Sequence, residues 1–349
     1  MTKTQQNPLI SIIVPVHNIA DYLPRCIDSI TAQTYSNLEV ICVENNSTDN
    51  SLEVLNQCAA KDKRVAVLST AKQGVTNARL QGIKHAKGEY IGFVDGDDYI
   101  DKGMFERLLA NAQKHNADIS HCGHMVHREN KAPEALIADI ASLTVDNKEN
   151  VYSLCAGQHL VLQDADEGLK DLIEGSYEPG LWNKLYKHSL FHSLLQDNLI
   201  DLSLKENEDL LMNYYLFKQS KSSVYSSFTP YHYIKRDSSA SSWAKNRSSN
   251  DYLFKDPITV KQIIKDDCTG TSIEQTARKM YLSTCINSYN SCLVSKGKAG
   301  EAGLKEIAAL LKKNKQDIAL LPKQRQRLAK MIMHTPKLYK NIYLAAKGK

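Results

Sequence analysis

Three carboxylates fall within four residues at Asp95-Gly96-Asp97-Asp98, directly after the apolar run Tyr90–Val94. An apolar run of that length, closed by acids, reads as a buried strand whose end meets solvent. Such a cluster repels itself unless positive charge neutralises it. A hard divalent cation, Mg²⁺ or Mn²⁺, takes oxygen ligands and is the natural partner. Open α/β sheets bind ligands beyond the carboxyl ends of their strands. The residues therefore point to a metal-assisted site for a phosphate-bearing ligand. A plain turn leading to a helix capped by Asp101 accounts for the same four residues, so the rest of the chain has to decide.

Other polar groups sit at comparable places. Glu44-Asn45-Asn46 follows the apolar run Leu38–Val43; such groups hydrogen-bond a nucleobase or simply shape a turn. Glu208 and Asp209 precede the apolar stretch Leu210–Phe217. Acids in a first helical turn suit the helix dipole, and one facing a cleft can act as general base. Lys235, Arg236 and the serine-rich run Ser238–Ser242 follow Val224–Tyr233; they suit a diphosphate or a hinge. His121, His124 and His127 invite a zinc reading. Strand positions 121 and 124 point to opposite faces, so pocket lining or ordinary strand residues are expected instead. No Walker P-loop or GxGxxG follows any strand, which argues against an ATPase or a dehydrogenase.

The elements that position these groups alternate. Strands are expected at Leu9–Val16, Leu38–Val43, Val65–Leu68, Tyr90–Val94 and Ile119–Val126, and helices at 18–33, 47–58, 76–86 and 102–115. Five strands separated by four helices predict a largely parallel sheet with helices on both faces. Right-handed crossovers then put the strand ends at one edge. Residues 127–170 are polar and predict a variable excursion with a helix near Gly157–Leu162. From 246 onward the pattern is helical, at Tyr252–Ile264, Ile273–Leu293, Gly303–Lys313 and Lys323–Met333.

With 349 residues, 42% hydrophobic and 24% charged, the chain has the composition of a soluble globular protein. Its eight cysteines include no CxxC pair, and Cys26, Cys42 and Cys58 fall at apolar positions, as in a reducing compartment. Met1–Pro8 lacks an apolar signal region, and no run is long enough to span a membrane; a cytoplasmic protein is expected. The net charge of +5 is uneven: Lys323–Lys349 holds eight Lys or Arg and no acid. That tail, with Leu338, Tyr339 and Ile342 interleaved, suits an anionic inner-leaflet surface or a docked helix with a solvated face. It carries no motif that reads nucleic acid.

Taken together these segments resemble the family 2 glycosyltransferases of the GT-A fold. The carriers are Ser11–Asn18, Val43–Ser51, Gly74–Arg79, Lys87–Asp98, Trp182–Tyr186, Glu208-Asp209, and Tyr231 through Arg236 to Ser241, in the family's order. The resemblance implies an α/β GT-A catalytic domain over 1–242, with a nucleotide-sugar-binding half (8–125) and an acceptor half (126–242), followed by a helical region over 243–349. It implies that Pro15, His17, Glu44 and Asn46 lie at the donor's base, and that Arg79 and Gly96 lie at the donor site. It makes Asp95 and Asp97 the DxD motif, with Asp97 the direct ligand of Mn²⁺ or Mg²⁺ and Asp95 nearer the ribose or metal. Arg236 is placed near the diphosphate, and Asp209 is the catalytic base with Glu208 beside it.

The chain departs from the family pattern at three places. His17 stands where Tyr is usual, Glu44-Asn45-Asn46 where Asp-Asp-Gly is usual, and Asn207 where Gly often precedes the acid pair. The implied activity is inverting, metal-dependent transfer of a sugar from a nucleotide-sugar donor, UDP-linked, to a hydroxyl of a glycan or lipid-linked glycan. Two rivals remain. One is a sugar-nucleotide pyrophosphorylase, which would carry a glycine-rich loop where Val16-His17-Asn18 stands. The other is a non-catalytic sugar-nucleotide-binding or membrane-scaffold protein.

Overall fold

The structure is a computed structural model that describes residues 7–128, 131–137, 143, 150–153, 157–197, 199–236, 252–294 and 298–347. Its contacts divide the chain into two units. The first comprises Met1–Leu202 with Met212–Arg236, and the second Ser203–Leu211 with Asp237–Lys349. Segment 203–211, which carries Glu208 and Asp209, thus clusters with the second unit. The Ser238–Ser242 run and the 242/243 boundary lie outside the described residues.

The first unit opens with alternating strands and helices: β1 (Ile10–Val16), α1 (Leu23–Thr31), β2 (Leu38–Glu44), α2 (Ser51–Lys61), β3 (Val65–Ser69), α3 (Val75–His85) and β4 (Tyr90–Phe93). A two-residue β5 (Tyr99–Ile100), α4 (Met104–His115) and β6 (Ile119–Arg128) follow. Every residue of β1 is buried, as expected for a β-branched strand covered on both faces. Ile10, Ile12, Val14 and Val16 pack with Leu23, Ile27 and Phe105. Ile41, Val43 and Ala78 form a separate cluster. Cys26, Cys42 and Cys58 are buried thiols.

Three short strands cross the middle, β7 (Glu134–Leu136), β8 (Val151–Ser153) and β9 (His159–Asp164). Helix α5 (Ala165–Glu174), β10 (Lys184–Lys187), α6 (His192–Gln196), α7 (Glu208–Gln219) and β11 (Ser222–Lys235) follow. The sheet order is β3-β2-β1-β4-β10-β6-β11-β9-β8, with β5 on β11 and β7 on β6. Neighbours among β3, β2, β1 and β4 are parallel, and so are β6 and β11. Strand β10 is antiparallel to both β4 and β6.

Three expectations are corrected. The sheet is mixed rather than largely parallel, because β10 inserts antiparallel between β4 and β6 and the strands beyond β11 are antiparallel too. Residues 157–162 are not helical: β9 pairs antiparallel with β11. The helix starts after it, where Asp164 and Glu167 form a reciprocal capping box. Asp101 does not cap α4; the cap residue is Gly103, and the Asp101 carboxylate accepts from His232 instead.

The second unit holds α8 (Tyr252–Asp267), α9 (Glu274–Val294), α10 (Lys298–Lys313), α11 (Lys323–His334) and α12 (Pro336–Ala346). Their core gathers Phe254, Tyr281, Tyr289, Leu311, Ile332 and Tyr339. The basic tail is two helices, divided where Pro336 opens the second.

Candidate functional site

The acid loop leaves β4 and is held from behind. Asp98 is fully buried; its Oδ1 accepts from the Ile234 amide at 2.7 Å and its Oδ2 from the Tyr231 hydroxyl at 2.7 Å. The same phenol accepts from the Asp95 amide at 3.1 Å. Burial, with Asp97 and Asp95 adding to it, pushes the Asp98 carboxyl well above the usual range. Asp98 therefore anchors the loop from inside. A side chain at Gly96 would meet Ile19 Cδ1 at 2.6 Å and the Pro15 carbonyl at 3.2 Å, so glycine lets the acid loop close against the turn after β1.

The Tyr231 phenol is the device that joins both ends of this loop. Tyr231→Phe leaves the Asp95 amide and one Asp98 oxygen without that partner inside the protein. The expected loss is roughly 1–3 kcal/mol of stability, read from urea unfolding. A loss below about 0.3 kcal/mol would mean that the phenol does not hold the loop.

Asp95 and Asp97 face the other way. Arg79, itself 5% exposed, donates from Nη2 to Asp95 Oδ1 at 3.2 Å. Arg236 forms a short ion pair with Asp97 and lies over the Tyr22 ring, 4.4 Å from its centroid. Burial, then Asp95, raises the Asp97 carboxyl, and Arg236 opposes the rise. The sequence expectations for Asp95, Asp97, Arg79 and Arg236 thus meet in one cluster. Among the described residues no three His, Cys, Asp or Glu side chains converge as a metal cage. One or two carboxylates completed by substrate phosphates is how Mg²⁺ is usually held. Asp97 and Asp95 fit that pattern, and their hard oxygens fit Mn²⁺ equally.

The turns after β1 and β2 lace together beside this cluster. The Asn18, Ile19 and Ala20 amides donate to Ser47 Oγ, Ser51 Oγ and Asp49 Oδ2 at 3.1, 3.1 and 3.0 Å. Glu44 is buried, and its Oε1 accepts from the Ser47 amide at 2.5 Å. His17 is exposed, its Nδ1 2.8 Å from the Asn45 carbonyl and its Nε2 3.3 Å from Asn18 Nδ2; a proton on Nδ1 satisfies both contacts. Asn46 has φ of 56° and Asn207 of 66°. Both stand where the family uses glycine, and asparagine is the residue that best tolerates this left-handed region after glycine.

In the second unit, Asp209 sits in the first turn of α7 and its Oδ1 accepts from the Leu210 amide at 2.8 Å. Glu208 beside it is buried. Burial lowers the Lys261 ammonium to about 8, against the pull of Asp209 and Glu206. Asp209 thus has a cationic neighbour at neutral pH.

The histidines of β6 fall in two places. His127 Nε2 lies 2.9 Å from His232 Nδ1, and His232 Nε2 lies 2.9 Å from Asp101 Oδ1. His121 and His124 both line one cavity of about 260 Å³. Regular alternation would have parted them, but the β6–β11 register breaks between Ser226 and Tyr231, alongside them. Sequence reasoning missed Tyr231, Asp98 as anchor, and Tyr22 beneath Arg236. Asp98 stood in the acid run itself, and the aromatic block Tyr231-His232-Tyr233 was the signal for Tyr231.

A mixed sheet with acids at the end of its fourth strand, helices on its flanks and a helical C-terminal region is the GT-A architecture. S. aureus TarS 1-349 in complex with UDP-GlcNAc shares the fold at TM-score 0.68 and 19% identity, over 97% of this chain and 92% of that one. Mannosyltransferase PcManGT from Pyrobaculum calidifontis, in complex with GDP-Man and Mn²⁺, shares it at TM-score 0.54 and 14% identity, over 98% and 87%. Residues 11–167 match glycosyl transferase family 2. Over those 157 of 349 residues the chain is similar to that family. The uncharacterized glycosyltransferase EpsJ of Bacillus subtilis is 33% identical over 214 residues, 61% of this chain and 57% of EpsJ. The chain thus spans a little over half the length of that relative.

Proposed function

We propose that the protein is a cation-dependent, inverting glycosyltransferase that moves a sugar from a UDP-sugar to a hydroxyl of a glycan or lipid-linked glycan. The observation that carries this reading is the pairing of Asp95 and Asp97 with Arg79 and Arg236 at the end of β4. Similarity to a fold that holds UDP-GlcNAc in TarS, and to a mannosyltransferase seen with Mn²⁺, supports it.

Mg²⁺ or Mn²⁺, held by Asp97 with Asp95 beside it, would neutralise charge growing on the leaving diphosphate. The guanidinium of Arg236, which pairs with Asp97, and that of Arg79 would offer positive charge to the diphosphate oxygens. Pro15, His17, Glu44 and Asn46 form the floor for the base. Asp209, with Glu208 beside it, takes the proton of the acceptor hydroxyl. The acceptor oxygen bonds to the anomeric carbon as the bond to the diphosphate oxygen breaks on the opposite face, which inverts the configuration. Incubation with UDP-sugars, Mn²⁺ and a lipid-linked glycan extract tests this. Release of UDP that depends on the acceptor is expected; UDP-sugar binding with no release would leave a binding protein.

The acceptor's lipid is reached through the tail. No helix among the described residues is long and apolar enough to cross a membrane. Helix α12 exposes Leu338 and Ile342, one turn apart, at 53% and 52%, on a segment whose only charges are cationic. Apolar insertion plus attraction to anionic lipid is how interfacial helices bind. The double change Leu338→Glu and Ile342→Glu is expected to lower binding to phosphatidylglycerol vesicles at least about tenfold; at ~0.8 kcal/mol per buried CH₂, two lost side chains are more than enough. Unchanged sedimentation with the vesicles would remove this contact.

A further inference from the structure

Tyr22 opens α1 at a position that its own helix does not explain. It is the cap residue, where Ser, Thr, Asp or Asn usually supplies a side-chain oxygen to the first helix amides. Tyr22 makes no such bond. Ile19 before it and Leu23 after it pack into the core of the first unit, while Tyr22 is half-buried. Its backbone is fixed on both sides. The Tyr22 amide donates to the Ile19 carbonyl at 3.0 Å, and the Tyr22 carbonyl accepts from the Cys26 amide at 3.2 Å.

The partner of the ring is Arg236. Its guanidinium lies 4.4 Å from the ring centroid, well inside the ~6 Å at which an aromatic face attracts a cation. The phenol hydroxyl hydrogen-bonds the same guanidinium. Burial opposes the charge of Arg236, and Asp97 and then Tyr22 outweigh that opposition. The Arg236 and Asp97 side chains are only 18% and 19% exposed, and a cation–π contact strengthens as water is excluded.

Arg236 follows the last residue of β11, and its long side chain has many rotamers to lose. What its tip touches therefore decides where the charge sits. Asp97 alone is a poor anchor, because the proposed function gives that carboxylate to the cation. The ring has no such second duty and holds the guanidinium whichever partner Asp97 takes. The seat is also tied to the acid loop. From the same turn of α1, Cys26 Sγ donates to the Asp95 carbonyl at 3.6 Å and Arg25 Nη2 to the Asp97 carbonyl at 3.5 Å. Leu23 closes against Gly96, where an added Cβ would lie 3.3 Å from Leu23 Cδ2.

We propose that Tyr22 is a positioning residue that seats the Arg236 guanidinium over its ring, beside Asp97, for the diphosphate of a nucleotide donor. The inference takes its ligand from the glycosyltransferase reading and rests on that reading. The role of Tyr22 is exercised through Arg236.

Isothermal titration in Mn²⁺, with UDP and separately with uridine, compares wild type, Tyr22→Leu, Tyr22→Phe, Arg236→Gln and the double variant Tyr22→Leu/Arg236→Gln. Leucine fills space without a π face; phenylalanine keeps the face and loses the hydroxyl. Tyr22→Leu is expected to weaken UDP at least about threefold, within the range of a partly desolvated cation–π contact. Uridine, which has no phosphate, is expected to bind unchanged. Tyr22→Phe is expected to bind UDP more tightly than Tyr22→Leu. In the Arg236→Gln background the leucine is expected to cost nothing further, because the two residues act as one unit. An equal loss in both backgrounds, an equal loss for uridine, or no loss in Tyr22→Leu overturns the proposal. Should Tyr22→Leu melt too low to titrate, phenylalanine with one, two or three ring fluorines at position 22 decides. Fluorine drains the ring face at nearly constant shape, so UDP affinity is expected to fall step by step, and a flat series overturns the proposal. If wild type binds no UDP, the glycosyltransferase reading fails and takes this inference with it. If wild type binds UDP and the variants behave as it does, this inference alone falls.

Discussion

Asp97→Asn is expected to abolish Mn²⁺-dependent binding of a UDP-sugar and to slow transfer by at least about 10²–10³-fold, the scale on which a single electrostatic group at a reacting centre acts. The change removes a charge and keeps the shape. Asp97 is the acid whose partner, Arg236, lies just past the end of β11, 139 residues away; Asp98 is already committed to Tyr231 and Ile234. An amide at position 97 can still hydrogen-bond, but it is a poor ligand for a hard cation. The fold should survive. The lost ion pair is offset by relief of repulsion within the acid cluster, where Asp95 and burial already oppose ionisation of Asp97. The melting temperature is therefore expected to stay within a few degrees. Isothermal titration of UDP with and without Mn²⁺, beside a UDP-release assay, reads both quantities. Turnover near that of wild type would remove Asp97 from the role of metal ligand.

Asp209→Asn is expected to lower kcat by about 10²–10⁴-fold, the usual contribution of a positioned general base, with the affinity for UDP-sugar unchanged. That split separates a proton acceptor from a binding group. The side chain stands in the first turn of α7, where its Oδ1 accepts from the Leu210 amide. Asparagine can keep the bond from the Leu210 amide and cannot accept the proton, so stability should hold while the chemical step fails. Glu208→Gln is expected to cost less, because Glu208 is buried. A variant at position 209 that turns over like wild type, or one whose loss lies wholly in KM, would contradict the assignment.

Strands β1 to β4 and the helices between them were legible because each of those strands is a largely apolar run and each helix a periodic one. Long runs such as Ile10–Val16 carry their period and their burial in the same letters. The short strands did not read so easily. His159–Asp164 holds three apolar residues in a row, which fit a strand or a helix turn equally; pairing with β11 decides it. Lys184–Lys187 is four residues long, and nothing in its own letters announces a place between β4 and β6.

The acids of the candidate site were visible for a related reason: charge directly after an apolar run is a local signal. Their partners were not. Tyr231 and Ile234 on β11 and Arg236 just beyond it reach the loop, and contacts across more than a hundred residues leave no local spacing to count. The asparagines at 46 and 207 looked like departures from pattern until their left-handed backbone showed that the glycine conformation is kept.

In the proposed reading Asp97 and Asp95 would hold the cation, and Arg236 would serve the diphosphate. A crystal structure of the chain with UDP and Mn²⁺ tests it most directly. Anomalous density within ~2.3 Å of an Asp97 oxygen, with the Arg236 guanidinium moved onto a phosphate oxygen, is the expected result. Bound UDP with the Asp97–Arg236 ion pair intact and no manganese between the acids and the phosphates would contradict it.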